Sequence, residues 1–183
     1  MHSKSYLPLL ALAVLLLVSC KKSSSDDPTI DFGPDPGFQY RDPTNVPNGG
    51  DPTDWIADGA WNDREKQLFS SLGLPLDAPQ QTDTYYTSVY PNPSAATLGG
   101  GFTFFTSTSS NRPAPTGTRL AYVIVDRKYQ ELQHGDLLLM PRGVSVPFMP
   151  SPLAAGSLNR LYLVCYVPGQ QVNYRSHGDI KTE

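Results

Sequence analysis

A mainly β fold, a small antiparallel β-sandwich led by one short helix, is predicted for this 183-residue chain by three observations. From residue 84 onward, short runs rich in Val, Ile, Tyr, Phe and Thr follow one another at close spacing. Clusters of Pro and Gly separate those runs, at Pro91-Asn92-Pro93, Gly99-Gly100-Gly101, Pro113-Ala114-Pro115, Pro150-Ser151-Pro152 and Pro168-Gly169, where central strands do not tolerate them. Only one segment, near residues 62–72, carries apolar residues at helical spacing.

The N-terminus precedes the fold and reads as a secretory signal. Met1-His2-Ser3-Lys4 carries one Lys, and Leu7 to Val18 is apolar except for Pro8. That run is about 12 residues, against about 20 for a helix that crosses a bilayer. It ends in Leu17-Val18-Ser19-Cys20. This tetrapeptide resembles the lipobox of bacterial lipoproteins. The resemblance implies cleavage before Cys20, a diacylglyceryl group on its sulfur, and a further acyl chain such as palmitate on its amine. Two or three chains give stable membrane attachment. Lys21-Lys22 after the cysteine, in place of an aspartate, is similar to lipoproteins destined for the outer membrane. The acids that follow resemble, more loosely, the surface-export signals of Bacteroidota lipoproteins. The expected partner through Cys20 is therefore a membrane, and the expected location the outer membrane, exposed at the cell surface.

Removing residues 1–19 takes Lys4 with them and moves the formal charge from −3 to −4. An acidic chain without clustered Lys and Arg offers no electrostatic footprint for nucleic acid. Residues 20–54 contain many Pro, Gly, Asp and Asn and few apolar side chains. Such a stretch predicts a disordered tether, because it buries too little surface to offset its ordering entropy. The folded domain is then expected over 55–183.

Within it, Asn62 with Glu65 three residues on gives a capping box, and Gly73 suits the residue after a helix end. Trp61, Leu68, Phe69 and Leu72 would bury the inner face of that helix. Strands are predicted at Thr84–Tyr90, Gly101–Thr108, Arg119–Lys128, Asp136–Met140, Val144–Phe148, Arg160–Val167 and Val172–Arg175, with Asp179–Thr182 closing the chain. Leu161 to Val167 is apolar on both faces, which predicts a central strand with one side covered by the helix or a long loop. Cys165 lies in that strand, and with Cys20 lipidated it has no partner. It reads as a small buried hydrophobe.

Val89-Tyr90-Pro91-Asn92-Pro93-Ser94 resembles the opening of the C-terminal sorting domains of the Bacteroidota type IX secretion system. Those are small Ig-like β-sandwiches, so the resemblance implies an Ig-like sandwich over residues 87–183. The chain departs from that family in having no separate folded cargo ahead of the motif. It also has Asp126-Arg127-Lys128-Tyr129 where an Asp-x-x-Gly turn is common.

No Gly-rich phosphate loop, Cys-x-x-Cys, His-Glu-x-x-His or Gly-x-Ser-x-Gly occurs, so neither a catalytic residue nor a cofactor is predicted and the chain reads as non-enzymatic. One repetition stands out: His134-Gly135-Asp136 and His177-Gly178-Asp179. Gly-Asp predicts a tight turn before a strand with an exposed histidine beside it. The alternative is a metal-dependent enzyme whose two histidines and two carboxylates share an ion. Tyrosines are numerous, and Tyr85, Tyr86 and Tyr90 are the candidate ligand-binding set, since rows of tyrosine stack on sugars or anchor protein partners. The function expected is a binding or presentation module for a glycan or an envelope protein, or else an envelope structural protein that binds another membrane protein.

Overall fold

The computed structural model describes residues 28–80, 85–95, 102–108, 114–140, 143–148 and 153–183. The signal segment and Cys20 lie outside them. Among the described residues the elements run β1 (Gln39–Arg41), β2 (Pro47–Gly50), α1 (Asp63–Gln67), a 3-10 turn (Ser70–Leu72), β3 (Tyr85–Tyr90), β4 (Phe102–Thr108), β5 (Arg119–Val125), β6 (Glu131–Leu138), β7 (Val144–Phe148), β8 (Leu158–Tyr166) and β9 (Val172–Lys181). Every strand pairing is antiparallel. A four-stranded sheet, in the order β6-β5-β8-β9, faces a three-stranded sheet, β3-β4-β7, and β1-β2 forms a small hairpin. The fold is the small antiparallel β-sandwich that the strand pattern predicts.

Its core has two parts, one on each face of the four-stranded sheet. Leu120, Tyr122, Ile124, Leu161, Leu163 and Cys165 point towards Val89 and Phe104 of the facing sheet. The alternate residues Ala121, Val123, Tyr162 and Val164 point outward, where Trp61 and Phe69 cover them. The double apolar pattern of β5 and β8 is thereby satisfied, and β8 is central as expected.

The helix begins as predicted. Asn62 Oδ1 accepts from the N–H groups of Arg64 (2.9 Å) and Glu65 (3.1 Å), and Glu65 Oε2 accepts from Asn62 N–H (2.7 Å). It does not run unbroken to Leu72. At Phe69 the backbone leaves helical geometry, and the Phe69 ring packs on Trp61 at 5.5 Å between centroids. Gly73 then closes the segment at φ +60.

Two expectations are corrected. Residues 28–54 are not a free tether: Ile30 is 1% exposed, Phe32, Phe38 and Trp55 are buried, and Ile30 N–H donates to Arg127 O at 2.8 Å. The composition of the segment is loop-like, but Ile30 and Phe32 join the outer core of the four-stranded sheet, while Val46 stays exposed. The two His-Gly-Asp tripeptides, in turn, are not turns. β6 begins at Glu131 and β9 runs unbroken to Lys181, so both tripeptides lie inside strands. The glycines accommodate rings. A Cβ on Gly135 would collide with Tyr122 of the neighbouring strand, and one on Gly178 would enter the indole of Trp55.

Candidate functional site

A cleft of about 840 Å³ opens at one end of the four-stranded sheet. Its floor is where β5 begins and β8 ends, with Arg119 and Tyr166 as register partners. One wall is Leu72-Gly73-Leu74-Pro75, turned by Gly73 away from the helical segment; the other is the β8–β9 turn, Pro168 to Gln171. A smaller chamber of about 130 Å³ adjoins it beneath Leu68, Phe69 and Leu72, with Glu131, His134 and Asp136 of β6 at its rim.

The charges at the cleft are already matched. Arg119 Nε donates to Asp136 Oδ1 at 2.9 Å, and Tyr166 Oη donates to Asp136 Oδ2 at 3.0 Å, which ties three adjacent strands together. The Asp136 hydrogen bond raises the Arg119 pKa; burial, followed by the Asp136 bond, raises that of Tyr166. Neither group is poised to give or take a proton near neutrality. Gln170 and Gln171 are exposed amides beside Tyr166. Amides and a guanidinium over a largely buried aromatic offer hydrogen bonds to a ligand.

The three nominated tyrosines do not form one row. Side chains alternate along β3, so Tyr85 (2% exposed) enters the core while Tyr86 (42%) faces outward. Tyr90 is half-buried on the same outer side as Tyr86. Tyr86 Oη accepts from Arg41 Nη1 at 3.0 Å, with the guanidinium 5.7 Å from the ring centroid and Phe105 edge-on at 6.3 Å. Tyr86 with Phe105 is thus a small aromatic patch, not a three-tyrosine platform.

His134 pairs with Val123, Val123 with Tyr162, and Tyr162 with His177, so the two histidines occupy one row at opposite edges of the sheet. Three strand spacings, roughly 14 Å, separate their backbones. They cannot hold one ion between them. His134 is exposed, with Nδ1 2.5 Å from Glu131 Oε1; His177 is largely buried, with Nδ1 2.7 Å from Asp58 Oδ1. Among the described residues no group of three potential metal ligands converges.

His177 belongs instead to a buried polar network that joins the N-terminal arm to the sheet. Arg160 grips Asp179 with two bonds of 2.7 Å and donates to Asp31 O at 3.0 Å. Asp54 accepts the N–H of Asp179 (2.9 Å) and of Gln39 (2.8 Å). Burial, then the Asp179 charge, pushes the Asp54 carboxyl up to about 8, and burial likewise raises Asp179 against the pull of Arg160. For His177 burial opposes the charge, but the bond to Asp58 outweighs it and the net shift is upward. Asp54 and Asp179 are almost wholly buried, so this network is a latch rather than a site.

Sequence reasoning missed the cleft because Pro168-Gly169 and Gly73 signalled only chain reversals, and Arg119 gave no motif. It did place Cys165 correctly in the core, where burial pushes the thiol up to about 12. Cys20 lies outside the described residues. No protein-family model matches the chain, and no curated protein matches it.

Proposed function

We propose that the chain is a non-enzymatic binding module of the bacterial cell envelope, anchored in the outer membrane by lipid on Cys20. The observation that carries the reading is Leu17-Val18-Ser19-Cys20 at the end of an apolar run too short to span a bilayer. Ten residue steps separate Cys20 from the packed Ile30, at most about 35 Å of chain. The domain is thus held close to its anchor. Ile30 bonds to the β5–β6 turn, whereas the cleft lies at the opposite strand ends, which leaves the cleft clear of the tether.

The cleft's composition favours a glycan. Two glutamine amides and a guanidinium offer the hydrogen bonding that sugars use, above Tyr166, which is itself only 5% exposed. Acyl labelling of cells tests the anchor: the native chain takes up palmitate and partitions into the detergent phase, and Cys20→Ala does neither. A Cys20→Ala chain that still labels and partitions overturns the anchor. An oligosaccharide array tests the cleft, with binding by the native chain and its loss in Gln170→Ala expected. No binding by the native chain overturns the glycan reading.

A further inference from the structure

We infer that the outer edge of β6 is a self-association surface, and that its occupant is β6 of a second copy of this chain, paired antiparallel about Gly135. Leu139 N–H donates to Thr118 O, so residue 139 turns its peptide groups towards β5. Alternation along the strand then turns those of Asp136 and His134 outward, away from β5. Among the described residues no backbone–backbone hydrogen bond reaches that edge, though Arg119 Nη2 donates to Asp136 O at 3.3 Å, and Leu138 is 56% exposed upon it.

Two of the other sheet edges are blunted. β9 is covered by the 54–58 segment, with Trp55 N–H on His177 O (2.9 Å) and Asp58 N–H on Arg175 O (2.9 Å). β7 carries Pro147, which has no N–H to give. β6 contains no proline.

The sequence of the edge selects both partner and register. His134-Gly135-Asp136 is complementary to itself when reversed. With Gly135 on the two-fold axis, His134 lies opposite Asp136 of the second copy and Asp136 opposite His134, side chains about 5 Å apart at Cβ. Sliding by two residues one way puts imidazole against imidazole; sliding the other way puts carboxylate against carboxylate, which is repulsive. Only the central register sets imidazole against carboxylate, adding a contact to those each side chain already makes within its own chain, His134 with Glu131 and Asp136 with Arg119 and Tyr166. The glycine at its centre also lets the second strand approach without a side chain on the axis.

A two-fold normal to the sheet keeps the same face up in both copies. Ile30 and Phe32 pack on the helix-bearing face, so both chains leave towards one side. The pairing is therefore compatible with two anchors in one membrane.

The test is oxidative cross-linking of the full-length lipidated chain in detergent. His134→Cys and Asp136→Cys chains should form a covalent dimer when mixed and none when either is oxidised alone. Sedimentation of the native chain as a dimer guards against a folding defect in one variant. Buried Cys165 supplies no competing thiol. Absence of cross-links in that mixture overturns the proposal, as does a His134→Cys chain that links to itself. A native chain that sediments as a monomer at high concentration also overturns it.

Discussion

Glycine inside a strand ordinarily weakens it, by leaving backbone uncovered and free. Gly135 and Gly178 are exceptions because a ring occupies the place of the missing side chain, Tyr122 over one and Trp55 over the other. The indole sits where a Cβ would be, and Trp55 is itself buried between the arm and the core. Gly178→Ala should therefore overpack the site and cost about 1–3 kcal/mol in urea unfolding. Gly59→Ala is the control, since nothing lies within 4 Å of its added methyl and its φ is not in the left-handed region. Equal midpoints for the two variants would show that the indole yields freely.

At the scale of elements, the N-terminal arm is the part that a composition argument misjudges. Its buried apolar residues Ile30, Phe32 and Phe38 each contribute about 1.5–3 kcal/mol if fully buried. Asn92, at the end of β3, adds a second attachment: its backbone N–H donates to Arg41 O and its side-chain amide to Gln39 O and Asp179 O. These contacts together rival the whole stability of a domain this size, about 5–15 kcal/mol. A chain starting at residue 55 should thus fail to fold cooperatively, whereas one starting at 28 should melt as the mature protein does. Circular dichroism melts decide it. A chain from 55 that melts within a few degrees of the longer one would show the arm to be dispensable.

For the molecule as a whole, the buried network makes stability depend on pH in one direction. Asp54, Asp179 and His177 all bind protons more tightly when folded: burial raises the two aspartates, and for His177 the bond to Asp58 outweighs the opposing effect of burial. A raised folded pKa adds stability that is complete below the unfolded pKa and is lost as pH rises through the folded one. For the two aspartates that window opens near pH 4 and extends to about 8, the raised value of Asp54; for His177 it opens near the ordinary histidine value, about 6.5. The three effects add. The protein should be more stable at pH 5 than at pH 8.5, and Asp54→Asn should flatten the slope. A midpoint in urea that rises between those pH values would contradict the network.

The strand pattern, the cap at Asn62 and the placing of Cys165 were legible in the sequence because each depends on neighbours in the chain. Near-continuous apolar runs mark β5 and β8 as buried on both faces before any partner is known. The Asn62–Glu65 pair satisfies its own hydrogen bonds within four residues. Tertiary structure decided what depends on distant partners. Whether Gly-Asp makes a turn or lies within a strand rests on a ring from elsewhere, Tyr122 or Trp55. Whether a polar segment is tether or arm rests on Ile30 and Phe32 meeting an uncovered sheet face. Which tyrosine faces solvent rests on which side of β3 is the core. The cleft rests on Arg119, Tyr166 and Gly73, which lie far apart in sequence and meet only when β5, β8 and the helical segment pack. Local rules fix the conformation of a short stretch, but burial and access are properties of surfaces, and surfaces exist only once the sheets have closed.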